Sequence, residues 1–263
     1  MILDKTITVR TTINPSAYAK YTYGSNYEFT LLDNTGKVLK NTEVSVVIDD
    51  VYHVSSDSNG KIVVPIKLTP GKYNVFVVNP STHEINTKSI TVVSRLYKNQ
   101  ALTMYYGAGS SYRVKVLDDH GNIAKNVKVT FKVNGHSYTR TTTSYGNAYL
   151  KIGLKPGTYT ITATYKGFKV SNKIKVKTTL ITKNIAVKKG KTIKFTAKLL
   201  SSKGKILKYK KVTFKFKGKT YKVKTNSKGI ATLKITKKYK VGKYTITSSY
   251  GKLKIKNKIT IKK

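Results

Sequence analysis

Cysteine is absent from all 263 residues, which removes disulfides, thiolate metal sites, cysteine nucleophiles and thiol redox chemistry together. The absence leaves the compartment open and requires stability to come from packing and hydrogen-bonded ladders. Acidic side chains are scarce too, ten against fifty-two Lys and Arg, for a formal charge of +42. Residues 178–263 hold twenty-eight lysines and no Asp or Glu, so carboxylate acid–base or nucleophilic chemistry is excluded there. Arginine is confined to Arg10, Arg95, Arg113 and Arg140, which argues against specific nucleic-acid recognition, because that recognition leans on guanidinium forks. No stretch of ten or more residues carries the 3.6-residue period of a helix. Nowhere do 18 apolar residues run together as a membrane span would need. Near Met1 there is no apolar export core; Met1–Lys5 leads straight into a strand-like Thr6-Ile7-Thr8-Val9-Arg10. The chain therefore reads as a fragment of a longer array, and an export signal is expected upstream of it.

What is present is a unit written three times, the first thing to seek in a chain of this size. Gly24, Gly107 and Gly190 stand 83 residues apart, each opening a strand-like run. A turn and second strand follow at Gly36, Gly121 and Gly204, then Ser58-Asn59-Gly60, Ser144-Tyr145-Gly146 and Ser227-Lys228-Gly229. The fourth landmark is Pro70-Gly71-Lys72-Tyr73, Pro156-Gly157-Thr158-Tyr159 and Val241-Gly242-Lys243-Tyr244.

Within each copy apolar and polar residues alternate, as in Val212, Phe214 and Phe216 against Thr213, Lys215 and Lys217. That period places one face of a strand in a core and the other in water. Such runs recur at roughly 8 to 12 residue spacing with turn residues between them, the pattern of a β-sandwich or barrel. The spacing predicts an all-β chain of three tandem immunoglobulin-like sandwiches of about seven strands each: residues 1–94, near-neutral and most divergent; residues 95–177; and residues 178–263. Tyr73, Tyr159 and Tyr244 stand where such folds place a tyrosine that bonds back across a corner; half-buried sheet packing is the other reading. Neither junction, Val93-Ser94-Arg95 or Lys177-Thr178-Thr179, contains a Gly/Ser-rich or Pro-rich linker, which favours a semi-rigid rod on the order of 100 Å long, given a radius of gyration of about 12 Å per domain.

Charge is graded along the chain: net +1 over residues 1–94, +13 over 95–177 and +28 over 178–263. A field of that sign attracts polyanions, and bare lysines give sequence-blind, salt-sensitive attraction. Solvated outer faces in a lysine-rich composition would produce the same count.

No catalytic, cofactor or metal site emerges. His53, His83, His120 and His136 fall in the first two copies at unrelated positions. Asp118-Asp119-His120-Gly121 resembles a site, yet Asp33-Asn34-Thr35-Gly36 and Ser201-Ser202-Lys203-Gly204 fill the same place, so it reads as a turn. Asp49, Asp50 and Asp57 could bracket a Ca²⁺. Asn86, Asn172 and Asn257 recur before each last strand, where some surface stalks form Lys–Asn cross-links; the third copy has no assisting acid, so these are expected to be uncross-linked asparagines marking a bulge or turn. Residues 74–87, including Asn79-Pro80-Ser81-Thr82-His83-Glu84, are expected to form the most idiosyncratic loop of the first copy and are the candidate for a ligand site.

Residues 204–247, with Gly-Lys-Ile-Leu-Lys and Val-Thr-Phe, then Thr-Asn-Ser-Lys-Gly-Ile-Ala-Thr-Leu-Lys-Ile and Val-Gly-Lys-Tyr-Thr-Ile-Thr, closely resemble the bacterial-immunoglobulin-like repeats of adhesin-like surface proteins of methanogenic archaea. The resemblance extends over nearly the whole chain and is weakest in residues 1–94. It implies extracellular, non-catalytic modules that project a binding region or hold a protein to its wall, and it supplies no functional residues. The expected role is a cell-surface stalk whose basic copy meets an anionic wall or surface polymer. The alternatives are a glycan- or protein-binding adhesin with its site in the first copy, a fibre subunit, and a non-specific binder of polyanions or nucleic acid.

Overall fold

The computed structural model describes residues 9–263; the expected opening segment Met1–Lys5 and most of the expected strand Thr6–Arg10 lie outside the described residues. Every regular element among the described residues is a strand. The first copy supplies β1 (Ile13–Pro15), β2 (Lys20–Thr22), β3 (Asn26–Leu31), β4 (Glu43–Ile48), β5 (Asp50–Ser55), β6 (Lys61–Pro65), β7 (Gly71–Val78) and β8 (Ile85–Val93). The second supplies β9 (Leu96–Tyr97), β10 (Leu102–Tyr105), β11 (Ser111–Val116), β12 (Lys128–Val133), β13 (His136–Thr141), β14 (Asn147–Lys151), β15 (Gly157–Tyr165) and β16 (Phe168–Lys177). The third supplies β17 (Leu180–Ile181), β18 (Ile185–Lys188), β19 (Ile193–Leu199), β20 (Lys211–Phe216), β21 (Lys219–Lys224), β22 (Ile230–Ile235), β23 (Gly242–Tyr250) and β24 (Leu253–Lys262).

The wiring is the same three times. A three-stranded sheet, β1-β3-β6, pairs with a five-stranded one, β2-β8-β7-β4-β5; β9-β11-β14 and β10-β16-β15-β12-β13 repeat it, as do β17-β19-β22 and β18-β24-β23-β20-β21. These are three tandem immunoglobulin-like sandwiches. Each copy has eight strand segments rather than about seven because the opening strand breaks. Its first half pairs antiparallel with the third segment (Ile13↔Leu31), and its second half crosses to the other sheet to pair parallel with the last (Lys20↔Thr91). By compactness the chain divides into two units. The first runs to Gln100 and takes in Arg113–Leu150 and Ile161–Ser171; the second comprises Ala101–Tyr112, Lys151–Thr160 and Asn172–Lys263.

The alternating residues fill the cores as the two-residue period requires. Phe195, Ala197 and Leu199 face Val212, Phe214 and Phe216 with no exposure above 1 %, and the Phe195 and Phe214 rings meet edge-on at 5.9 Å. Burying each such side chain is worth roughly 1.5–3 kcal/mol. Tyr27, Phe29 and Leu31 with Val44, Val46 and Ile48 fill the core of the first copy, none more than 3 % exposed.

Side chains at three recurring positions fix the turns. The Oδ1 atoms of Asp33 and Asp118 and the Oγ of Ser201 each accept the backbone N–H groups two and four residues on. The turn needs an acceptor oxygen at that point, and an acid is optional. Asp57, Thr143 and Asn226 cap the next turn in the same way. Just before them Ser56, Thr142 and Thr225 are buried, each donating its hydroxyl to the carbonyl of Leu39, Ala124 or Leu207. Gly60, Gly146 and Gly229 follow at φ 72, 71 and 72°, and a β-carbon on Gly229 would lie 2.7 Å from Ile206.

The corner tyrosines bond as the immunoglobulin reading expects. The Tyr73, Tyr159 and Tyr244 hydroxyls donate to the carbonyls of Thr69, Lys155 and Lys240, all at 2.9 Å. The expectation for the asparagines needs correcting. Asn257 lies inside β24, in regular register with Ile246, accepting from the Thr182 hydroxyl at 2.6 Å. Asn172 lies inside β16 and donates to the Tyr112 hydroxyl at 3.0 Å. Asn86 is not their counterpart: Tyr73 faces Ile90 as Tyr244 faces Ile259, so Lys88 occupies the equivalent place. Asn tolerates strand interiors here because its amide finds a side-chain partner beside the ladder, without any bulge.

Candidate polyanion interface

The register of the third copy decides where its lysines point. In β20 Val212, Phe214 and Phe216 face inward, so Lys211 and Lys215 face out. Opposite them stand Lys224, Lys222 and Thr220 on β21, and Thr247 and Ser249 on β23. Across β23, Lys243 and Thr245 face Thr260 and Lys258, and Thr247 and Ser249 face Lys256 and Lys254. Lys188 of β18 pairs with Lys262 at the edge. The outward face is thus a grid of Lys, Thr and Ser, with Ala186 its one apolar member. Ten of its lysines, at 188, 211, 215, 222, 224, 243, 254, 256, 258 and 262, are exposed. Grid spacing is about 4.8 Å between strands and about 6.8 Å along them.

Electrostatically this face is uncompensated. Lys211↔Lys224 and Lys188↔Lys262 are direct cross-strand pairs of like charge, an arrangement that destabilises a sheet. Lys194↔Lys234 repeats it on the other sheet. The ion pairs found among the described residues, Lys61–Glu28, Arg95–Asp119 and Lys166–Asp119, all lie before the third copy. A second basic feature belongs to the first unit, an open cleft of about 800 Å³ lined by Lys20, Lys115 and Lys125 over Val93, Leu117 and Tyr97.

The other candidates resolve into structure. Asp118-Asp119-His120-Gly121 is a turn, and it also clasps the preceding copy. Arg95, only 1 % exposed, reaches Asp119 at 2.7 Å and donates through Nε and Nη2 to the Tyr23 carbonyl at 3.3 Å. The Thr22 amide donates to the Asp119 carbonyl at 3.1 Å, and the Tyr18 ring stacks on His120 at 3.5 Å. Burial raises the Asp119 carboxyl, but the hydrogen bond from Lys166 and the adjacent Arg95 guanidinium outweigh it and hold the group below the usual range. Sequence reasoning missed this clasp. Its one signal was an arginine at the copy boundary and the middle copy's two acids lying in one turn.

His53 sits on β5 with Nδ1 at 3.1 Å from the Ser45 hydroxyl, His83 occupies a turn at φ 60°, and His136 opens β13. The structure brings none of them together. Asp57 holds its turn, and Asp50 accepts the Val51 amide at 2.8 Å; among the described residues no group of three His, Cys, Asp or Glu stands ready for a metal ion.

The expected loop 74–87 is shorter than that: residues 74–78 belong to β7 and 85–87 to β8, whose ladder carries them. In the turn between them Asn79 is buried and donates to the carbonyl of Leu32 at 2.9 Å and the hydroxyl of Thr12 at 3.0 Å. Glu84 accepts the Thr11 hydroxyl at 2.7 Å and the Thr12 hydroxyl at 2.6 Å. Beside them an open cleft of about 800 Å³ is lined by Arg10, Asp33, Asn34, Thr82 and Glu84.

No family model matches the chain, and no curated protein matches it. Among solved structures the chain is similar to a Ca²⁺-stabilised adhesin with which an Antarctic bacterium binds ice, at 14% identity and TM-score 0.26 over 97% of this chain and 75% of that one. It is similar to a protein of the mixed-linkage glucan utilization locus of Bacteroides ovatus, solved with a mixed-linkage heptasaccharide, at 17% identity and TM-score 0.25 over 100% and 70%. It is also similar to a tandem of titin domains, at 13% identity and TM-score 0.36 over 95% and 98%. The fold assignment rests on the strand ladders rather than on these likenesses.

Proposed function

We propose that this chain is a non-catalytic segment of an exported cell-surface stalk or adhesin, of the kind carried by the methanogen surface proteins it resembles, whose third copy holds to an anionic wall or surface polymer. The observation that supports this most is the acid-free outward face of the β18-β24-β23-β20-β21 sheet. Its lysines are arranged against sheet stability, with like charges directly opposed. A linear polyanion laid across that face would neutralise both members of each pair, and release of its counterions would drive the binding.

The test is binding of the whole chain to immobilised polyglutamate and polyphosphate as salt is varied. Changing Lys254, Lys256, Lys258 and Lys262 to Thr, a residue the face already carries, lowers the slope of log affinity against log salt by roughly 0.7 to 0.9 for each lysine engaged. An unchanged slope, or binding indifferent to salt, overturns the proposal. A ligand site in the first copy's cleft predicts the first outcome, binding that survives the four changes with its slope unaltered.

A further inference from the structure

The outward face of the five-stranded sheet has opposite character in the first copy. Register places Val47 opposite Phe76 and Val51, with Val78 opposite Ile85 on the neighbouring strand. Val47, Val51, Phe76 and Ile85 are 38, 51, 39 and 62% exposed. The residues at the positions of Val47, Val51 and Phe76 are Lys132, Ser137 and Thr162 in the second copy and Lys215, Thr220 and Thr247 in the third. Lys254 stands where Ile85 does. Nothing in the fold demands apolar residues at these four sites, since two sister sandwiches are built without them.

A second difference lies at the edge of the same sheet. Strand β5 ends it, hydrogen-bonded to β4 alone, and its residues Asp50-Val51-Tyr52-His53-Val54-Ser55 include no Lys, Arg or Pro. The corresponding edge β21 carries Lys219, Lys222 and Lys224, and β13 carries Arg140. Charged side chains on an edge, lysine above all, are how sheets avoid pairing with another chain; β5 has no lysine or arginine, and its one acid, Asp50, stands at the strand's end.

We propose that two copies of this chain associate through their first sandwiches, edge strand β5 against edge strand β5, the apolar strip running continuously across the joint. A second copy fits because antiparallel pairing of one edge with itself is two-fold and presents the same patch from both sides. Only the first sandwich, at net +1, lets two copies approach without the repulsion that +28 on the third imposes. The four apolar residues expose roughly 300 Å² per copy, the scale of a functional patch but below the roughly 800 Å² of a tight interface. The dimer is therefore concentration-dependent. It strengthens with added salt, which screens the basic sandwiches, whereas polyanion binding weakens, so failure of either proposal is separable from failure of the other.

The chain has no native cysteine, so single thiols report pairing cleanly. A short bis-maleimide is expected to link Val51→Cys chains into dimers and to leave Thr220→Cys chains, altered at the matching place on the third copy, unlinked. Sedimentation of the wild-type chain at rising concentration in moderate salt shows dimer. In Val47→Lys/Phe76→Thr, which installs the third copy's own residues, association falls on the order of tenfold or more. A wild-type chain that stays monomeric with Val51→Cys unlinked overturns the proposal, as does a dimer that survives Val47→Lys/Phe76→Thr or that links equally through Thr220→Cys.

Discussion

Replacing Asp119 by Ser, the residue at the same turn position in the third copy, strands the Arg95 guanidinium. That group is 1 % exposed and faces Asp119 at 2.7 Å, with longer bonds of 3.3 Å to the Tyr23 carbonyl. Breaking a fully buried pair from one side costs about 3–5 kcal/mol. Here the Asp119 side chain is 39% exposed, so water already screens part of the attraction and about 2 kcal/mol is expected. In a sandwich of this size that lowers the melting temperature by roughly 10 °C. Differential scanning calorimetry of the whole chain reads it, with the transition of the third copy as internal reference. The double variant Arg95→Met/Asp119→Ser should recover at least half of the loss, because the charge that had been stranded is gone. A loss too small to resolve in Asp119→Ser, or no recovery in the double variant, refutes the reasoning. The sign with pH follows from the depressed carboxyl. The clasp contributes fully above the ordinary carboxylate value of about 3.9 and is lost as pH falls through the lower folded value.

Tyr244→Phe removes a hydroxyl bonded to the Lys240 carbonyl at 2.9 Å and should cost about 1 kcal/mol, visible as a lower denaturant midpoint for the third copy's transition; no change there would make the corner tyrosine a packing residue. Gly229→Ala puts a β-carbon 2.7 Å from Ile206 and 3.1 Å from the Leu199 carbonyl at φ 72°, and should cost on the order of 1–3 kcal/mol, read from the same transition.

The fold was legible because the alternating period is redundant. Val212, Phe214 and Phe216 recur in kind as Val44, Val46, Ile48 and as Val129, Phe131, Val133, and all nine are buried. The lysine face was legible for the same reason, since inward residues fix where their neighbours point. What stayed hidden depends on partners distant in sequence. Thr225 lies between Lys224 and Asn226 and looks like surface, yet its hydroxyl is buried against Leu207. Arg95 looks like one more cation on a basic chain until the fold brings Asp119 to it. Asn172 and Asn257 sit inside strands because a turn-former's local preference yields to a side-chain partner set by the ladder.

The break in each opening strand has a mechanical consequence. Its second half, β2, β10 or β18, runs parallel to the copy's last strand, so tension applied along the chain draws the two strands in opposite directions. Their hydrogen bonds are loaded in shear, all at once, and none can be unzipped one after another. β10 and β18 have four residue pairs in register with their partners, and β2 has three. Under a steady pull the first copy has the shortest clamp of the three.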